Sequence, residues 1–173
     1  STLTGLYIYD TKKYEQQAAF TEARGANVIF GEKYAAANTG SDLFVWDLDS
    51  YKLVFQHQTK EAVVLMSFAI SPDDQLLVAG EGKQIQIWSL PDGKSIANIP
   101  NKGFPWDMAF ANNDTIMVAD VFWGGIQEWD IETQKKTRDF KIERPVISFN
   151  LSNDGKIAIV DYGDYGFEIW NTV

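Results

Sequence analysis

The sequence predicts an all-β chain built from repeated sheets of four short antiparallel strands. Three observations carry that prediction: a Trp that recurs about every 41 residues, alternating apolar stretches of strand length, and turn-forming clusters between them. Trp46 in "DLFVWDLDSYK", Trp88 in "QIQIWSLPDGK", Trp129 in "GIQEWDIETQK" and Trp170 in "GFEIWNTV" stand 42, 41 and 41 residues apart. A weaker copy, "GLYIYDTKKYE", puts Tyr9 in the same place 37 residues before Trp46.

Each unit repeats one order of elements. An apolar strand ("VVLMSFAI", "PWDMAFA", "PVISFNL") leads into a turn rich in Asn, Asp and Gly ("SPDD", "ANND", "SNDG"). A second apolar strand follows ("YAAA", "QLLVA", "TIMVA", "KIAIV"), then a turn such as "TGSD", "GEGK", "FWGG" or "DYGDYG". The third strand alternates and ends at the Trp, and a polar turn leads to the fourth ("SYKLVFQ", "GKSIANI", "KKTRDFK"). No segment sustains a helical period; "YEQQAAFTEAR", which comes nearest, reads as strand and loop from its place in the repeat. Four antiparallel strands in about 41 residues is the arithmetic of a β-propeller blade.

With the strands of a blade lettered a to d from the inside out, the chain reads c-d, three times a-b-c-d, then a-b-c. The units fall at 1–20 (strands c and d), 21–58, 59–100, 101–142 and 143–173 (strands a to c), about four blades in one partial domain. Three closures are open: part of a larger propeller, a half-propeller completed by oligomerising, or a small disc closed alone. An uncovered strand edge at either end invites another chain, so the first two call for a partner.

The pattern resembles the WD-repeat family of β-propellers over almost the whole chain, through "SPDD", "LLVAG" and the endings "VWD", "IWS" and "EWD". The family's Gly-His pair before the first strand is missing from most units; the one His, His57 in "FQHQTKEAV", lies near that place. The resemblance therefore does not extend to the His-Asp-Ser-Trp network that locks many family blades. Looser propeller relatives, the bacterial surface and lactonase-like repeats, are the structural alternative. The resemblance implies a module that assembles complexes.

Composition narrows the function classes. The 24 Asp and Glu outnumber the 15 Lys and Arg, leaving a net charge of −9 that repels polyphosphate and anionic membranes. No nucleic-acid or membrane partner is expected, and no apolar run reaches the length of a membrane span. There is no Cys, hence no disulfide or thiolate metal site, which leaves the compartment open. Ser1 in place of an initiator Met implies processing or trimming. The sequons "NDT" at Asn113 and "NLS" at Asn150 are short enough to arise by chance.

Candidate chemistry is mostly explained by the repeat. "GEGK" lacks the following Ser or Thr and the helix of a phosphate-binding loop, so it is a hairpin turn. His57 has no G-x-S-x-G nucleophile to serve and reads as turn-facing. Asp47 and Asp130 recur after the Trp, and Asp73, Asp74, Asp114 and Asp154 recur in the a–b turns. No metal, cofactor or catalytic residue is expected, and "DYGDYG" lacks the terminal Glu of a calcium loop. The inner strands are nearly all apolar or small, with Asp107 and Asn150 as exceptions, which disfavours channel chemistry.

What the repeat does not require lies in the d–a and b–c loops, which share one rim. These carry Phe104, Phe122, Trp123, Tyr162 and Tyr165, with Asp120, Asp161 and Asp164 among them, and rings with few rotamers beside acids suit recognition. The bland reading is that several of these rings wedge between blades, and Trp106, placed inside strand a, is left out of the set for that reason. Trp46, Trp88, Trp129 and Trp170 are assigned to the core. The function expected is a non-enzymatic scaffold that offers this rim to a protein or peptide, preferably a basic one. A propeller hydrolase and a structural subunit completing another chain's propeller are the alternatives.

Overall fold

A computed structural model describes residues 5–23, 27–59, 65–120 and 125–173. Its strands are β1 (Leu6–Tyr9), β2 (Gln16–Phe20), β3 (Asn27–Phe30), β4 (Tyr34–Asn38), β5 (Asp42–Asp47), β6 (Leu53–Gln58), β7 (Leu65–Ile70), β8 (Leu76–Glu81) and β9 (Gln84–Ser89). They continue as β10 (Ser95–Pro100), β11 (Pro105–Asn112), β12 (Thr115–Asp120), β13 (Ile126–Asp130), β14 (Lys135–Phe140), β15 (Ser148–Leu151), β16 (Ile157–Asp161) and β17 (Phe167–Asn171). One 3-10 turn, Gly163–Tyr165, is the sole helical element among the described residues.

The strands form a two-stranded sheet β1-β2, three four-stranded sheets β3 to β6, β7 to β10 and β11 to β14, and a three-stranded sheet β15-β16-β17. Every neighbour is antiparallel and next in the chain. These are blades of the propeller type, as the fold class predicted from the sequence requires.

Turn chemistry repeats with the strands. After the Trp, Asp47 Oδ1 accepts the Ser50 amide at 2.7 Å and its hydroxyl at 2.6 Å, and Asp130 Oδ1 does the same for Thr133 at 2.7 and 2.6 Å. These side-chain hydrogen bonds lower both aspartate pKa values. Four residues beyond Asp10, Asp47, Ser89 and Asp130, the backbone turns left-handed at Tyr14, Tyr51, Gly93 and Gln134, with φ of 58, 56, 62 and 56°. A closed local hydrogen-bond set is what lets non-glycine residues hold that conformation. In the a–b turns, the Ser71 hydroxyl donates to Asp73 at 2.7 Å and accepts the Leu76 amide, while Ser152 does likewise with Asp154 and Ile157.

The core lies between blades rather than within one. Along each middle strand the side chains alternate, one set facing the preceding blade and the other the next. In β12, Ile116 and Val118 join Val78, Ile85 and Ile87 of the blade before, while Met117 and Ala119 join Phe149, Ala158 and Val160 of the blade after. Three of the repeat Trp residues pack under an aromatic of the fourth strand of the preceding blade: Phe20 stacks on Trp46 at 4.5 Å, Phe55 lies 5.6 Å from Trp88, and Phe140 lies 6.3 Å from Trp170.

That rule grades the predicted Trp core. Trp46 and Trp88 are buried, whereas Trp129 and Trp170 are half-buried. Tyr9, in the equivalent place but with no described blade before it, is 51% exposed where Trp46 is 1%. His57 departs from its predicted turn: it sits in β6, opposite Leu43. Its Nε2 is 3.1 Å from Glu81 Oε2 and its ring 4.8 Å from Trp88. The strand period carries it into the seam between two blades.

Candidate interaction rim

The upper rim is made by the d–a segments near 101–104 and 141–147 and by the b–c loop near 162–166. The residues expected there divide into three groups. Phe122 and Trp123 lie outside the described residues.

Asp120 and Tyr162 depart from the rim expectation because both are buried, at 2% exposure each. Asp120 ends β12 under Asn101, whose Nδ2 lies 3.5 Å from Asp120 Oδ2, and a methyl on Gly103 would strike its carboxylate. The Tyr162 ring packs with Val146, Phe149 and Val160. Its hydroxyl donates to Glu168 Oε2 at 3.0 Å, an oxygen that also accepts the Trp170 indole N–H at 2.9 Å. Burial, then the Glu168 hydrogen bond and charge, push the phenol up to about 12, so it stays protonated as a packing residue.

Phe104, Asp161, Asp164 and Tyr165 remain accessible. Phe104 is half-buried with Lys83 Nζ 5.7 Å above its ring. Asp161 is half-buried, and its Oδ1 accepts the Gly163 amide at 2.8 Å, which starts the 3-10 turn. That turn carries Asp164 and Tyr165 outward, Tyr165 to 71% exposure.

The structure adds two residues that the sequence reading passed over. Trp106 lies in β11, as expected, yet its side chain is exposed, and its indole N–H donates to the Ile147 carbonyl at 2.9 Å. Ile147 is exposed too, and a methyl on Gly163 would meet its Cγ1 at 3.4 Å. Trp106, Ile147 and the 163–165 turn therefore form one run across two blade tops. Strand alternation could not supply the signal: the β11–β12 register shifts between Pro105 and Asp107, and Trp106 stands at that irregularity.

Rim charge is divided. Lys83 and Lys102 stand beside Phe104, Asp161 and Asp164 beside Tyr165, and Arg144 lies 5.6 Å over the Tyr162 ring. On the inner strands, Asp107 Oδ2 accepts the Phe149 amide of the next blade at 2.9 Å and Oδ1 accepts the Met108 amide at 3.0 Å. Burial raises its pKa against those two bonds. Asn150 is exposed in β15. The lower half of the inner strands walls a groove of about 620 Å³, lined in part by Phe30, Ile70, Phe110 and Leu151. Among the described residues no group of three or more His, Asp or Glu is placed to hold a metal ion.

Two known proteins are similar to this chain in sequence. The WD repeat-containing protein 26 homolog of Drosophila melanogaster is 23% identical over 193 aligned residues, covering 82% of this chain and 30% of the relative. The small ribosomal subunit protein RACK1 of Caenorhabditis elegans is 29% identical over 133 residues, covering 69% of this chain and 40% of the relative. No family model matches the chain. The chain is a distant homologue of WD-repeat proteins, and it spans less than half the length of either relative.

Proposed function

We propose that the chain is a non-enzymatic scaffold that binds a protein or peptide partner on its upper rim. WD-repeat propellers are typically protein-interaction scaffolds, which supports the coarse reading. The observation that carries the finer one is the exposed run Trp106, Ile147 and Tyr165 flanked by Asp161 and Asp164. Rings held on antiparallel sheets lose little freedom when a partner arrives. The acids at the Tyr165 side favour a segment with Lys or Arg there. An enzymatic reading finds less support, because Asp107 is engaged by two backbone amides.

The test is an array of amphipathic peptides matched in length and differing in charge. Basic peptides should bind, acidic ones should not, and Trp106→Ala with Tyr165→Ala should weaken binding at least tenfold with little change in melting temperature. Equal binding of both charge classes, or full binding by the double variant, would refute the rim assignment.

A further inference from the structure

Two segments run outward from the Trp106–Ile147 contact and meet again at a cavity. The Trp106 indole N–H donates to the Ile147 carbonyl at 2.9 Å, which joins the 102–106 and 141–147 segments at their inner ends. At their outer ends, Lys102 and Lys141 line one cavity of about 390 Å³ with Gln127 of β13 and Lys136 and Asp139 of β14. Trp106 lies on β11, the innermost strand of that sheet, and the cavity lies on its two outermost strands. Ring and cavity therefore stand at the inner and outer edges of one blade. That blade has a described sheet packed on either side, so internal junctions set both features.

The charges of the cavity do not cancel. Lys136 Nζ is 2.7 Å from Asp139 Oδ2, so those two neutralise each other. Lys102, Lys141 and Glu143 also line it, all three exposed and in no ion pair among the described residues. Two free cations thus face one free acid, in a chain whose net charge is −9. Lys83, whose Nζ lies 5.7 Å above the Phe104 ring, extends the basic side toward Trp106. Arg144 is occupied by Glu168 at 3.4 Å, and beyond Ile147 the sign reverses at Asp161 and Asp164. A methyl on Gly163, between those two acids, would meet Ile147 at 3.4 Å, so they adjoin the apolar run directly. Read outward to inward and on to the next sheet, the rim presents cations, then rings, then acids.

We propose that this cavity takes the acidic end of the partner segment whose Lys or Arg end meets Asp161 and Asp164. The rim then selects a bipolar peptide in the order acid, apolar anchor, base. This rests on the rim reading above and adds to it a second charge class and a spacing. Lys102 and Trp106 are four residues apart, at most about 14 Å of chain. An extended partner spans that distance in about four residues, which fixes where its Asp or Glu must stand relative to the side chain covering Trp106. The net charge of −9 draws basic segments to the whole surface, so any gain from an acidic group has to come from local cations. Both lysines are exposed, which keeps each contact modest and sensitive to salt.

Fluorescence anisotropy with labelled peptides of equal length tests it. All carry the same apolar anchor with Lys on one side; the other side carries Gln, Glu about four residues from the anchor, or Glu beside the anchor. Each is made in both chain directions, because side-chain charge leaves the direction of the partner open. In one direction the distant-Glu peptide should bind about fivefold tighter than the Gln peptide, an advantage that shrinks with salt. Glu beside the anchor should bring no gain. With Lys102→Gln and Lys141→Gln together the distant-Glu and Gln peptides should bind alike, and with Lys102→Glu and Lys141→Glu their order should reverse. Circular dichroism checks that both variants are folded. If the Gln peptide binds and Glu adds nothing in either direction, the bipolar reading is overturned and the rim reading stands. An advantage that survives both lysine variants overturns the assignment to this cavity. Failure of every peptide to bind overturns this proposal together with the rim reading.

Discussion

Gly31 and Asp74 should behave as one unit although they lie on different blades. The Asp74 carboxylate is buried, and its Oδ2 accepts the backbone amides of Glu32 and Lys33 at 3.0 and 3.1 Å. A methyl on Gly31 would sit 1.8 Å from Asp74 Oδ1 and 2.9 Å from its Cγ. Gly31 is outside the left-handed region, so Ala fits its backbone and the whole penalty is this collision. Relieving the collision rotates the carboxylate off both amides. Two hydrogen bonds to a charged group contribute about 1.5 kcal/mol each at the low end of their range. Against that stands about 0.5 kcal/mol gained from the stiffer unfolded chain. Gly31→Ala should therefore destabilise by about 2.5 kcal/mol.

In an Asp74→Gly background the outcome changes. That substitution suits the φ of 58° at position 74 and has already removed both bonds, so Gly31→Ala should then be nearly neutral. A double-mutant cycle should return about 2.5 kcal/mol of coupling, far above the roughly 0.5 kcal/mol of independent sites. Urea unfolding followed by Trp fluorescence resolves this, since about 2.5 kcal/mol moves the midpoint by more than about 1 M at a typical slope of ~2 kcal/mol per M. Additive effects of the two substitutions would refute the inter-blade link.

Further outcomes follow from the same contacts. Trp46→Ala should lose about 3–5 kcal/mol, whereas Tyr9→Ala at the matching exposed position should change stability by less than about 1 kcal/mol in the monomer, by the same denaturation assay. The Phe149 amide resonance, which reports on the Asp107 carboxylate, should titrate with a midpoint above the ordinary aspartate range. Because that folded pKa is raised, the group's contribution to stability is complete below the unfolded value and is lost as pH rises through the folded one. For Glu128, burial acts upward but the hydrogen bonds from Arg138 and Thr137 and the Arg138 charge outweigh it, leaving the pKa lowered. Its contribution is present above the unfolded pKa and disappears as pH falls through the folded value, so Arg138→Met should cost about 1 kcal/mol at neutral pH and little in acid.

Much of the fold is legible in the sequence because the repeat prints the same physics several times. The Trp interval, the alternation and the Asp or Ser that starts each c–d turn all follow from local spacing, and local spacing sets the strands. Relations between blades are less legible. Asp73 and Asp74 are adjacent in "SPDD", yet Asp73 closes its own turn through Ser71 while Asp74 reaches back to the preceding blade. No local rule separates them, since the difference is one of direction across a seam. The same holds for Tyr162 and Tyr165 in "DYGDYG": a 3-10 turn begins between them and sends one ring into the core and the other outward. Spacing identified both as unusual and was silent on which one a partner can reach.

The seams also decide what the chain is as a physical object. When most apolar burial lies between repeats, stability is a sum of junctions rather than a property of each blade. Trp46 and Tyr9 occupy the same repeat position and differ fiftyfold in exposure, and the difference is the strand stacked above one of them. Of the exposed rim run, Trp106 rises from an interior blade covered on both faces, whereas Ile147 and Tyr165 rise from the sheet β15-β16-β17. Burial of a blade face thus depends on the sheet that lies against it, while the hydrogen bonds of the blade are made within its own strands.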